Sequence, residues 1–112
     1  MRRGEVYLVD WPYSDRTGSK LRPAVVVQAD ALNQLISDTV LVAITGRSRA
    51  AATEVLIDPG VETASGLTRL SYAVCNNFLT IDQGLLHSRR GELSAAAVQE
   101  IEAKIKAALE LP

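Results

Sequence analysis

The chain has one cysteine and one histidine among its 112 residues, and that scarcity excludes two kinds of architecture. Cys75 alone cannot close an intramolecular disulfide, and Cys75 with His87 supplies too few soft ligands for a zinc site, so no metal is expected. Long apolar runs are missing too: AVVV and VLVAI fall far short of the roughly 20 residues that span a bilayer. The opening MRRGEVYLVDW has no signal-peptide h-region, so a soluble chain in a reducing cytoplasm is expected. With 22% charged residues and a net charge of -1, there is no polybasic coat, and 47% hydrophobic residues exclude a disordered chain. No GxxxxGK[ST] loop, GxGxxG, HExxH, GxSxG or tight carboxylate cluster occurs, which leaves nucleotide and metal chemistry without a sequence basis. With His87 alone, a mechanism that uses two histidines as acid and base cannot be built within one chain.

What is present reads as one domain over residues 1–112, β-rich first and helical last. Glu5 to Asp10 (EVYLVD) has strand composition, and the YSDRTGS that follows is turn-prone. Pro23 to Ala29 (PAVVVQA) predicts a second strand starting at Pro23, with Arg22 held extended at the loop's end. Thr39 to Thr45, Glu54 to Asp58 and Arg69 to Cys75 predict three more strands, and Leu79 to Asp82 a short sixth. From Ser94, placed to cap a helix, Val98, Ile101, Ile105 and Ala108 or Leu109 recur at helical spacing, with Glu100–Lys104 and Glu102–Lys106 as outward pairs. Strands at short spacing followed by one helix predict a small, bent antiparallel barrel over about 1–92, capped by a helix over about 94–110.

Charge is distributed less evenly than its sum suggests. Arg16, Lys20 and Arg22 face only Asp15 in the first loop, and Arg47 and Arg49 follow Thr45 with no acid before Thr53. If antiparallel packing joins these strand ends, they form a basic edge with hydroxyls from Ser19, Thr45 and Ser48, a donor set suited to phosphate oxygens. Loop cations are as a rule simply solvated, so charge alone does not assign the edge.

The order RRGEVYLVDW, TGSKLRPAVVVQAD, VLVAITGR, SGLTRLSY, a strand ending in TID and a terminal helix resembles the MazF/PemK (Kid-type) toxins of bacterial toxin–antitoxin pairs over nearly the whole chain. The resemblance implies a mainly β fold, an SH3-like barrel of the CcdB/MazF type with a C-terminal helix. It also implies a homodimer, an acidic antitoxin partner and sequence-specific, metal-independent cleavage of single-stranded RNA. The family's catalytic arginine and threonine fall on Arg22 and Thr45, and its proline beside the arginine on Pro23. Ser19 and Lys20 fall in the loop that frames the cleft, and Arg47, Ser48, Asn76 and Asn77 complete the expected RNA-contacting set.

RNA carries its own nucleophile, the 2'-hydroxyl, so aligning it with the adjacent phosphorus and stabilising the developing charge suffices for cleavage. Arg22 would present a planar fork of donors to non-bridging oxygens and Thr45 a hydroxyl, with 2',3'-cyclic phosphate and 5'-hydroxyl products implied by the resemblance. Some relatives have an Arg and an Asp before the TID segment as acid and base. Here those positions are Val74 and Asn76; Asn76 can hydrogen-bond, but neither can act as an acid or base at neutral pH. Trp11 and Tyr13 open the first loop and read as packing residues, with base stacking the alternative; Cys75 reads as core and His87 as a surface residue. Two other functions are weighed against the ribonuclease: a CcdB-like gyrase poison, which has no need of a phosphate cleft, and a non-catalytic barrel that binds RNA or protein.

Overall fold

A computed structural model of the chain describes residues 1–112. Six strands form one antiparallel sheet: β1 (Glu5–Pro12), β2 (Ser19–Val26), β3 (Asp38–Thr45), β4 (Glu54–Ile57), β5 (Ser71–Asp82) and β6 (Ser88–Glu92), in the order β4-β5-β3-β2-β1-β6. A short helix α1 (Asp30–Leu35) joins β2 to β3, and α2 (Ala95–Leu109) ends the chain. The sheet is an open, strongly curved half-barrel, since β4 and β6 do not pair. The β4–β5 connection bridges them instead, with Glu92 N–H donating to Ala64 C=O at 2.9 Å. No helix is long and apolar enough to cross a membrane.

Side chains that alternate along β1, β2 and β3 divide between two cores. Val6, Val25, Val42 and Ile44 join Val55, Ile57, Ala73 and Cys75 beneath α2, whose Ala97 and Ile101 are buried. Val9, Trp11, Ala24, Val26, Leu41 and Ala43 form the second cluster, which fixes Trp11 as a core residue, 4% exposed, while Tyr13 is exposed. The expected terminal helix is present and capped at Ser94, whose Oγ accepts from Ala97 N–H at 3.1 Å. Glu62 in turn accepts from both Ser94 N–H and Oγ–H at 2.7 Å. Of the outward pairs expected on this helix, Glu102 instead meets Arg3, at 3.4 Å.

Three departures from the sequence reading bear on the site. β2 begins at Ser19, so Pro23 lies inside the strand. Ser19–Pro23 pair with β1 alone, β3 joining only at Ala24–Val26, so one edge of β2 is unpaired where the proline N–H is missing. The expected fifth and sixth strands are one strand, β5, interrupted where Cys75, Asn76 and Asn77 bulge away from β3 between the Ala43–Val74 and Val42–Phe78 pairs. SRRGE forms β6, and DALNQL forms α1, neither of which the pattern of apolar residues announces.

Candidate RNA-cleavage site

Because β2 and β3 part company after Ala24 and Ala43, their ends splay, and Arg22 and Thr45 flank the gap. Extended backbone before Pro23 holds Arg22 within β2 rather than at a loop's end, half-buried, with its Nε enclosed and without a hydrogen-bond partner. It is the one buried side-chain nitrogen or oxygen in the chain without a hydrogen-bond partner. Thr45, also half-buried, closes β3, and its Oγ1 accepts from Arg47 N–H at 3.3 Å, which leaves its own O–H free to donate elsewhere.

Two cavities meet at this pair, and both are lined by Arg22 and Thr45. The larger, about 540 Å³, runs under the first loop past Asp15, Arg16 and Arg49 to Asn77 on the β5 bulge and Phe78 just after it. Its one carboxylate, Asp15, is held below the usual aspartate range because Thr17 donates to it from both backbone N–H and hydroxyl, at 3.0 and 2.8 Å. Asp15 is therefore ionised and a poorer base than an ordinary aspartate. Val74 lines this cavity as well, and contributes no acid or base.

The smaller cavity, about 370 Å³, is walled by Lys20, Pro23, Gly46, Ser71 and the Gly66–Arg69 segment, with Arg90 from β6. Both volumes fall in the range of about 300–1,000 Å³ usual for ligand sites. The guanidinium of Arg69 lies flat on Gly46, where a Cβ would fall 2.9 Å from its Nε. Gly66 has a φ of +74° and packs against Arg90 so closely that a Cβ would come within 2.0 Å of the Arg90 carbonyl oxygen.

The remaining expected contacts divide. Lys20, Pro23 and Asn77 line one cavity or the other. Ser19 is engaged with Asp10 at 3.0 Å, Ser48 with Glu54 at 2.7 Å, and Asn76 accepts weakly from Thr53 at 3.5 Å. These three, with Arg47, line neither cavity. The basic edge is thus carried by Arg16, Lys20, Arg22 and Arg49 beside the Thr45 hydroxyl, while Ser19 donates across to Asp10 on β1 and Ser48 to Glu54. Arg69 and Arg90 line the smaller cavity too, although the sequence does not single them out. Their only sequence signal is a basic residue beside a short Gly-containing segment, in SGLTR and SRRG. His87 is exposed, and Cys75 is buried, its thiol pushed up to about 11 by loss of solvent. No three His, Cys, Asp or Glu side chains converge as a metal-binding group.

Residues 2–109 match the family described as PemK-like, MazF-like toxin of type II toxin–antitoxin system. An endoribonuclease MazF of Staphylococcus saprophyticus is 31% identical over 114 residues, covering 99% of this chain and 92% of the relative. Among solved structures, an endoribonuclease in complex with its cognate antitoxin, from a mycobacterial species, superposes with a TM-score of 0.82. It is 28% identical and covers 100% of this chain and 97% of its own. A MazF of Deinococcus radiodurans in its MazE–MazF complex shares the fold at 17% identity, with a TM-score of 0.77 and coverage of 100% and 98%. The family match over residues 2–109, with a relative 31% identical across nearly the whole chain, places this chain in the PemK-like, MazF-like toxin family of type II toxin–antitoxin systems.

Proposed function

We propose that this chain is the toxin of its pair and cleaves single-stranded RNA at specific sequences without a metal, by attack of the 2'-hydroxyl on the adjacent phosphorus. The observation that carries this reading is the convergence of Arg22 and Thr45 on one gap, where both line the two cavities that meet there. A phosphate in the gap would meet the guanidinium where Arg22 lines both cavities, and the extended backbone of β2 places that side chain before substrate arrives. As the phosphorane forms, negative charge grows on the non-bridging oxygens. Arg22 and the Thr45 hydroxyl stabilise it there, and the bond to the 5'-oxygen breaks to leave a 2',3'-cyclic phosphate and a 5'-hydroxyl. Arg22 acts through charge rather than proton transfer, since a guanidinium stays protonated. Val74 and Asn76, where relatives place a proton-carrying pair, supply no proton carrier here.

The same reading includes a homodimer, an acidic antitoxin that covers the basic gap, and a cytoplasmic location. The endoribonuclease name of the Staphylococcus relative and the antitoxin-bound mycobacterial structure support it. Incubation of the purified protein with long single-stranded RNAs in EDTA, followed by end mapping, tests it: discrete cuts with cyclic-phosphate ends are expected. Arg22→Ala should abolish them while circular dichroism stays unchanged. Full-rate cutting by Arg22→Ala would refute the site, and gyrase-dependent DNA breaks without RNA cuts would point to the CcdB-like alternative.

A further inference from the structure

The smaller cavity is lined by four cations, Lys20, Arg22, Arg69 and Arg90, and by no carboxylate. None of the four takes part in an ion pair. The consecutive arginines of β6 make the contrast sharpest. Arg89 bonds Glu5 at 2.5 Å and reaches Glu92 at 3.9 Å, whereas Arg90, its neighbour, lines the cavity unpaired. The wall is also firm, because the Arg69 guanidinium rests on Gly46 and the Gly66 backbone abuts Arg90. Lys20, Arg69 and Arg90 are exposed on this wall, so an anion entering the cavity can reach them.

Arg22 and Thr45 belong to this cavity and to the larger one alike, so an occupant here lies next to whatever group sits at the reaction centre. A ligand that repeats an anion from one unit to the next, and is already at Arg22, is the RNA backbone itself. We propose that Arg69 and Arg90 bind the backbone phosphate adjacent to the scissile one, and so position the strand for cleavage. The proposal rests on the ribonuclease reading for its substrate, and its test is read by binding rather than by cutting.

The test uses uncleavable 2'-O-methyl RNA oligonucleotides around a mapped cut, each with one neutral methylphosphonate linkage at a different position, and fluorescence anisotropy. Where no cut can be mapped, the neutral linkage is scanned along an arbitrary RNA of the same length. Wild type should lose about tenfold in affinity at a linkage beside the cut, the low end for a hydrogen bond to a charged group. Arg90→Gln and Arg69→Gln should each bind the unmodified RNA about tenfold more weakly and become indifferent to that linkage. The slope of log affinity against log salt should become shallower by about 0.7 for each phosphate that is no longer neutralised. Arg69→Lys should keep most of the affinity, and Lys106→Gln, on the distant helix, all of it. Arg90 is exposed on a strand, so its variant stays informative if Arg69→Gln disturbs the fold.

Affinities within twofold of wild type for Arg90→Gln would overturn the proposal, as would equal losses at every linkage. So would variants that weaken binding of an acidic peptide while RNA binding is untouched. The predicted coupling without any RNA cutting would uphold the subsite and sink the ribonuclease reading. Cutting with no coupling would do the reverse.

Discussion

Gly66→Ala is the substitution whose consequences can be followed furthest. The new methyl group must adopt a left-handed φ of +74°, which costs an L-residue about 1–2 kcal/mol. It must also occupy space 2.0 Å from the Arg90 carbonyl oxygen, and since that neighbour is backbone, the strand and the loop have to separate by more than 1 Å to reach ordinary contact. Forced separation of this kind costs about 1–3 kcal/mol. The total, about 3 kcal/mol, is a large part of a stability of about 5–15 kcal/mol, and corresponds to a melting temperature lower by roughly 10–15 °C. Gly60→Ala is the matched control, because its methyl meets only the Asp58 side chain, with Oδ1 nearest at 3.2 Å, a side-chain end that can move. Urea unfolding followed through the buried single Trp11 measures both. The Gly66 variant should have a lower midpoint with an unchanged slope, and the Gly60 variant should stay within about 0.5 kcal/mol of wild type. A Gly66→Ala midpoint equal to that of wild type would mean that the β4–β5 connection is not locked to β6, and the firm cavity wall would go with it.

Thr45→Val should cut RNA about 10²–10³-fold more slowly while binding it nearly as well, since one transition-state donor is lost and shape is kept; equal rates would remove Thr45 from the reaction. Glu5 gives a pH signature. Burial pushes its carboxyl up, but the Arg89 hydrogen bond, the Arg2 backbone N–H and nearby positive charge together leave it below 4.5. Its contribution is therefore complete above the unfolded value near 4.5 and fades as pH falls through the lower folded value. Glu5→Gln should lose less stability than wild type between about pH 7 and about pH 3, and parallel losses in urea midpoints would contradict this. The buried Cys75 thiol, pushed up to about 11, should resist alkylation in the native protein and react only as urea unfolds it; rapid native labelling would show that the core opens.

The readable parts of this fold are those where a side-chain period reports burial. Val98, Ile101 and Ile105 announce α2, and AVVV and VLVAI announce the central strands, because each element buries one or both faces in a core. SRRGE escapes such a reading: β6 is an edge strand whose arginines go to an ion pair and a cavity rather than to a core. DALNQL escapes it for another reason. The turn between β2 and β3 is organised by polar bonds around buried Asn33, whose Oδ1 accepts from Gln28 Nε2 at 2.9 Å and Thr39 Oγ1 at 2.7 Å. Pro23 misleads because the rule that proline avoids sheet interiors refers to strands paired on both sides, and here β3 has already turned away. Arg22 and Thr45 are visible through the order of motifs around them, whereas Arg69 and Arg90 become neighbours only when Gly66 lets the β4–β5 connection cross to β6.

The unpaired cations around the gap have a thermodynamic side. Like charges gathered by the fold repel one another in the native state and move apart when the chain unfolds, so an anion that occupies the gap relieves only the native state. An occupant present at a hundred times its dissociation constant adds about 2.7 kcal/mol to the free energy of unfolding. The lifetime of the folded chain thereby becomes a function of what fills the cavity, and the free form is the one a protease meets most often unfolded.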